Sequence, residues 1–350
     1  MATPEVGAGL HALAEQALAA WDLVGAAIKP VSVSENITFR VDKAGAAYVL
    51  RIHRPGYHSL AELQSEHVWT NSLIAAGLDV PVPLRTVDGE GYITLPYAGG
   101  VRNIGVLRWV EGEVLGGIIE RHPERVTRHF RQIGAIAAAV HNQSSGWPLP
   151  AGFKRHSFDV DGLMGPDPFW GRFWEMDHLD EAGRALVVTA RDRIAQTLGA
   201  YGKAPQTYSL IHADLHPYNV VIGEGEGEGE GEGECECAGE GEGGLHVIDF
   251  DDAGFGWHHY ELAVALYNYR RHEAFEDIQA ALIEGYRNVR PLADEVVDML
   301  PMFFLIRTLV SLGWRQQRPE HGTDLAKPVA DACQEAAAWL AHADNPVSPH

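Results

Sequence analysis

At 350 residues the chain exceeds the size of one ordinary core, so a bilobal unit or two domains is the expectation. Hydrophobic residues make up 46% and nine tryptophans are present, which excludes a disordered chain. The formal charge is −21, and nine of the glutamates lie between Glu224 and Glu242, so the rest carries −12; either figure excludes a duplex nucleic-acid binder, which needs a basic footprint.

In chain order, Glu5 to Trp21 repeats apolar residues at helical spacing and predicts an opening helix. Glu5 stands before any apolar run and no basic segment precedes one, so no secretory signal is expected and the protein should be cytoplasmic. Val31 to Val41 and Ala46 to His53 read as a strand pair around the turn residues Asp42-Lys43-Ala44-Gly45. Ser59 to Ala76 returns to helical period and stops near Gly77. A further strand pair is expected at Leu84 to Val87 and Tyr92 to Pro96, and a short strand at Leu107 to Val110.

After Glu111-Gly112 the pattern changes to long helices: Arg125 to His141, Glu181 to Leu198 and several segments from Tyr260 to Asn345. Short strands interrupt them at Leu210-Ile211, Val220 to Ile222 and His246 to Phe250. The expected fold class is α+β, with a β-rich lobe over residues 1–107, a hinge over 108–112 and a helical lobe over 113–350. The Gly/Glu run from Gly223 to Gly244 belongs to neither lobe; its composition predicts an expanded hairpin turn, because loop closure costs little extra as loops lengthen. Cys235 and Cys237 lie within it, and with Cys333 they form no disulfide framework and too few ligands for structural zinc. Met299 to Leu312 is strongly apolar but contains Pro301 and Arg307 and is too short to span a membrane, so it predicts a buried helix and no membrane partner.

Chemistry concentrates in His212-Ala213-Asp214-Leu215-His216-Pro217-Tyr218-Asn219 and, beyond the repeat, Ile248-Asp249-Phe250-Asp251-Asp252. An Asp, an Asn five positions later and a second Asp ending an apolar strand form the set that phosphoryl transfer needs. One carboxylate orients a hydroxyl and takes its proton, while oxygen ligands hold Mg²⁺ against the phosphates of ATP. Singly, each Asp or Asn is more often a turn former; the joint spacing favours chemistry. His212, Asp214, His216 and Asp249 could also serve a metal-dependent hydrolase, a reading that leaves Asn219 and the β-rich lobe unused.

The loop resembles the aminoglycoside phosphotransferase and choline kinase family, whose pattern is His-x-Asp-x-x-x-x-Asn followed by an Ile-Asp-Phe strand. The resemblance extends over roughly residues 30 to 315, through Val80-Pro81-Val82-Pro83, the hinge-like Val110-Glu111-Gly112 and the helix from Arg131-Gln132-Ile133-Gly134 to His141. It implies a bilobal protein-kinase-like fold, ATP and Mg²⁺ as cofactors and a small-molecule hydroxyl acceptor. Residue by residue it implies Asp214 as catalytic base, His212 as a brace of its loop, and Asn219 and Asp249 as magnesium ligands. On the nucleotide side it implies Arg51 in place of the usual lysine, with Glu66 as its partner and Glu62 as the competitor, and Glu111 at the hinge. Ser32-Val33-Ser34-Glu35-Asn36 stands where a glycine-rich phosphate loop is expected and has no glycine, a feature that also admits a non-enzymatic nucleotide-binding scaffold. Asp251, Asp252 and Glu261 follow the metal strand and predict a negative wall for an amine-bearing acceptor. His216, Trp109, Trp170 and Trp174 read as structural residues.

Overall fold

The computed structural model describes residues 6–34, 36–223, 244–322 and 324–344. They fall into two compact units. The first comprises Met1–Ile118, Pro148–Arg155 and Tyr218–Asp251, and the second Ile119–Trp147, His156–Pro217 and Asp252–His350.

The first unit is built on an antiparallel sheet of β1 (Ala27–Val33), β2 (Ile37–Lys43), β3 (Ala46–Ile52), β4 (Tyr92–Tyr97) and β5 (Gly100–Arg108), in the order β1-β2-β3-β5-β4. Its strands turn Phe39, Val41, Leu50, Ile52, Ile104 and Val106 into a core closed by Leu13, Ala14 and Ala17 of α1 (Ala8–Ala17) and by Trp21. The alternation of buried and open positions expected of a half-buried sheet is what places these side chains together.

Three sequence expectations are corrected here. The single strand Val31 to Val41 is two strands, because β1 ends at Val33 and pairs antiparallel with β2 from Ile37, and the Ser34 N–H donates to the Asn36 carbonyl at 3.0 Å. Leu84 to Val87 is not a strand beside Tyr92; Leu84 instead donates its N–H to Val106, and β4 pairs with β5. The expected short strand at Leu107 is the end of β5, whose hairpin with β4 turns through Ala98 and Gly99 at φ +49° and +79°. Positive φ at both positions is the two-residue turn that matches strand twist, and the alanine hides it in the sequence.

α2 (Leu60–Ala75) forms as expected, and Ser59 with Glu62 makes a reciprocal capping box at its start. Its end at Gly77, φ +85°, satisfies the last carbonyls through Gly77 and Leu78 N–H groups. A small sheet joins Glu113–Val114, Val220–Ile222 and Leu245–Val247. The last two strands pair antiparallel, and the Gly223 N–H donates to the Gly244 carbonyl at 2.9 Å, so the flanks of the Gly/Glu run form a hairpin. Residues 224–243, including Cys235 and Cys237, lie outside the described residues. The expected strand His246 to Phe250 stops at Val247 because Asp249 takes φ +67°, which no strand accommodates.

The second unit carries a three-stranded sheet in the order Ser157–Phe158, Gly254–Trp257, Tyr208–Ile211. Leu210-Ile211 therefore pairs with Gly254–Trp257, a strand whose two glycines conceal it, and belongs to a different sheet from Val220. The helices Val126–Gly146 and Phe275–Arg287 pack backbone to backbone: a Cβ at Gly134 would lie 2.0 Å from the Leu282 carbonyl oxygen and one at Gly285 1.8 Å from that of Arg131. The apolar stretch after Asp294 is long and apolar enough to cross a membrane by composition alone, yet most of it is buried. Its main helix, Leu300–Gln316, packs on His258–Leu266 within this unit, the buried helix that the sequence predicts.

Candidate active site

In the first unit, the central strand β3 carries Arg51 into a buried ionic network. Arg51 places Nη1 3.6 Å from Glu66 Oε1 and Nη2 3.1 Å from Asp249 Oδ1. The choice between Glu66 and Glu62 follows from helix chemistry: Glu62 is spent on the capping box, while Glu66, one turn on, is buried at 3% exposure facing Arg51. Burial opposes a charge on Arg51, but Asp249 and then Glu66 hold its pKa above the ordinary value, so the guanidinium remains cationic.

A second guanidinium, Arg155, completes this network and was missed from sequence because Lys154-Arg155 sits in an unremarkable loop. Its Nη2 donates to the carbonyls of Asp251 at 2.5 Å and Phe250 at 3.3 Å, and its Nη1 reaches the Glu62 carbonyl and lies 3.5 Å from Glu66 Oε2. Arg155 thus ties α2 to the segment just after Asp249. Asp251 is corrected from a substrate residue to a structural one: it is 5% exposed, with Oδ1 3.4 Å from His53 Nδ1 and Oδ2 3.9 Å from His58 Nε2. Burial works against its charge, yet the His53 contact and nearby His58 and Arg51 hold its carboxyl well below the usual range.

Asp249 itself is half-exposed, and the Ile248 N–H just before it donates to the Asn219 carbonyl at 2.9 Å, so the two residues leave adjoining backbone segments. A carboxylate and an amide oxygen are the hard donors that Mg²⁺ prefers, and no thiolate competes among the described residues of this segment. These residues therefore fit the ion. Asn36, in the turn that replaces a glycine loop, accepts from the Arg54 N–H at 3.3 Å through its side-chain oxygen. Glu111 is exposed and paired with Arg40 at 3.1 Å, and neighbouring Gly112 needs φ +140° and no Cβ, which would lie 2.1 Å from the Ile222 carbonyl oxygen.

In the second unit, Ala213 adopts φ +64°, a left-handed turn that aims Asp214 off the end of the Tyr208–Ile211 strand. A non-glycine residue in this region costs energy and persists only where neighbours enforce it. Glu261 enforces it: fully buried, it accepts the His212 N–H at 2.8 Å through Oε1 and the Ala213 N–H at 2.7 Å through Oε2. Glu261 is thereby corrected from acceptor wall to loop brace, since an acid with no exposed surface and both oxygens engaged cannot meet a substrate. Asp252, the remaining residue of the proposed wall, accepts at its carbonyl from His156 Nε2 at 3.1 Å. His212 is also fully buried, and its Nδ1 accepts the Asp214 N–H at 3.2 Å, which sets it as a second brace.

The Asp214 carboxylate lies 2.8 Å from Arg307 Nη2 through Oδ1 and 3.3 Å from His216 Nε2 through Oδ2. Burial disfavours its charge, but His216, Arg307 and His212 together hold it well below the carboxylate range. Arg307 comes from the Leu300–Gln316 helix, where its Nη1 donates to Tyr260 Oη at 3.3 Å and its guanidinium sits 5.3 Å from the Trp170 ring centroid. The sequence signal for it was an arginine inside the strongly apolar stretch Met299 to Leu312.

Glu261→Ala should leave two buried N–H groups without acceptors and lower unfolding free energy by about 2–5 kcal/mol, with turnover falling alongside. Burial pushes the Glu261 pKa up to about 7 despite the two N–H donors. The folded state then holds the proton more tightly than the unfolded one, so stability falls as pH rises from about 4.5 to about 7. Glu261→Gln should flatten that slope in thermal unfolding scans taken across this window. A Glu261→Ala protein as stable and as active as the wild type would show that the brace carries nothing.

The pattern of the phosphotransferase enzyme family (APH) matches residues 27–232 and 239–295, well over half of the chain. Amicoumacin kinase of Bacillus subtilis is 22% identical over 302 residues, covering 81% of this chain and 78% of its own. A homoserine kinase of Rhizobium meliloti is 27% identical over 290 residues, covering 78% and 76%. Among solved structures, a microcompartment-associated aminopropanol kinase superposes with a TM-score of 0.75 at 29% identity, over 95% of this chain and 96% of that one. The α+β architecture and the loop sequence agree with this likeness, and the chain belongs to the phosphotransferase enzyme family, with its protein-kinase-like fold.

Proposed function

We propose that the protein is a small-molecule kinase that moves the γ-phosphoryl group of ATP onto an acceptor hydroxyl oriented by Asp214. The observation that carries this reading is the construction of the Asp214 turn: a left-handed residue, two buried braces and a carboxylate held ionised, all spent on aiming one side chain. Asp214 accepts the acceptor proton as the new P–O bond forms and the bond from the γ-phosphorus to the bridging oxygen breaks to release ADP, a late demand that an acid of low pKa meets because phosphoryl transfer relies on positioning more than on a strong base. Asn219 and Asp249 would hold Mg²⁺, which when bound neutralises phosphate charge. Arg51, fixed by Glu66, supplies a cation for the phosphates, and Glu111 belongs to the segment beside the nucleotide. The hydrolase reading loses one of its ligands, since His212 is fully buried with Nδ1 engaged by the Asp214 N–H.

An amine-bearing acceptor remains part of the proposal, now supported by relatives named for aminopropanol and homoserine and not by an acidic wall. A cytoplasmic location belongs to the same reading. ADP release measured across amino alcohols, homoserine, aminoglycosides and neutral sugars, with and without EDTA, is the test. Expected is saturable ADP release with at least one amine-bearing alcohol and its loss on chelation. Product formation without nucleotide would overturn the kinase reading, and turnover of neutral sugars alone would overturn the amine.

A further inference from the structure

We infer that Arg307 is the positioning residue of the catalytic base, locking the rotation of the Asp214 carboxylate by holding Oδ1 so that the acceptor meets it in one orientation. The inference rests on the reading of Asp214 as that base. Three observations carry it. First, the cation is placed deliberately: Phe303, Leu305, Ile306, Leu309 and Val310 of the Leu300–Gln316 helix are buried around Arg307, with Thr308 as the buried polar neighbour, and a charge there is costly unless it is used. Second, the guanidinium is itself fixed on two further sides, by Tyr260 Oη at 3.3 Å and by the Trp170 ring at 5.3 Å, so it presents Nη2 to Asp214 in a set direction. Third, the contact at 2.8 Å is a charge-assisted hydrogen bond to one named oxygen, while the main chain of Asp214 is fixed independently through His212 and the Glu261 brace. Backbone and carboxylate are therefore oriented by separate elements.

Charge follows geometry. The groups facing Asp214 are His212 and His216 from its own loop, Arg307 from the Leu300–Gln316 helix, Tyr260 and Glu261 from the His258–Leu266 helix, and Asp252 beside Tyr260 and Arg307. Arg307 is the permanent cation of that set, so its removal leaves the carboxylate held by His216 through Oδ2 and raises the pH at which it protonates.

The test uses the full-length protein without ligand and then with Mg·ATP and 1-amino-2-propanol as the probe acceptor. With ¹³C-carboxyl-labelled aspartate, the Asp214 resonance is identified by its loss in Asp214→Asn and titrated in wild type, Arg307→Met and Arg307→Lys. Expected is a midpoint higher by about 1 to 3 pH units in Arg307→Met, with the lysine variant in between. ADP release should fall about 10- to 100-fold in Arg307→Met and be partly rescued in Arg307→Lys. Should methionine at this place unfold the helix, Arg307→Gln reads the same two quantities while keeping a donor for Tyr260. An unchanged midpoint in a folded variant would overturn the inference, as would wild-type turnover in Arg307→Met. If Asp214→Asn itself kept full turnover, the base assignment would fail, an outcome distinct from either of these.

Discussion

Asp214→Asn is expected to lower phosphoryl transfer by about 10²- to 10⁴-fold while Mg·ATP binding stays within about threefold of wild type. Asparagine keeps the shape of the side chain and an oxygen for Arg307, but it removes the charge proposed to orient the hydroxyl and the proposed acceptor of its proton. The substitution also leaves the partly buried Arg307 facing a neutral partner, so some stability is lost at neutral pH. The sign of its pH dependence is fixed by the depressed acid: the stabilisation is present above the unfolded carboxyl pKa of about 4 and is lost as pH falls through the lower folded value. Asp214→Asn should therefore flatten the acid arm of the stability profile, below about pH 4, and lower the neutral-to-basic arm without changing its slope. A variant with normal turnover would remove the centre of the mechanism.

Asp249→Asn should fail at a different step. Its side chain is half-exposed and offers the charged oxygen of the proposed magnesium pair, so its neutralisation should weaken Mg²⁺-dependent nucleotide binding by about tenfold or more and reduce turnover with it. The fold should tolerate the change, because φ +67° is a conformation that asparagine adopts more readily than most residues. Arg51 keeps Glu66 as a partner in the variant, which limits the collapse of the network around it. The measured loss can then be assigned to the metal and not to unfolding.

Several parts of this arrangement were legible in the chain because they are local. The helix from Ser59 with its stop near Gly77 and the hairpin flanks of the Gly/Glu run depend on residues a few positions apart or on an obvious compositional break. What was not legible depends on distance along the chain. Arg307 lies 93 positions from Asp214, and Arg155 lies 96 from the Asp251 carbonyl it holds; no periodicity connects them. Glu261 and Asp251 were assigned to the acceptor from their place after the metal strand, but burial, which sequence position does not reveal, makes each internal. The strand Gly254–Trp257 and the turn at Ala98-Gly99 were missed for the opposite reason: their residues are poor local signals, and tertiary pairing overrides propensity.

The division of labour between the two aspartates is the centre of the account, and calorimetric titration of Mg·ATP into wild type, Asp214→Asn and Asp249→Asn, each shown to be folded, tests it most directly. The account predicts equal affinity for wild type and Asp214→Asn, and for Asp249→Asn a loss of about tenfold or more that appears only when magnesium is present. Undiminished Mg·ATP affinity in Asp249→Asn, or a loss of binding in Asp214→Asn as large as that expected for Asp249→Asn, would contradict it.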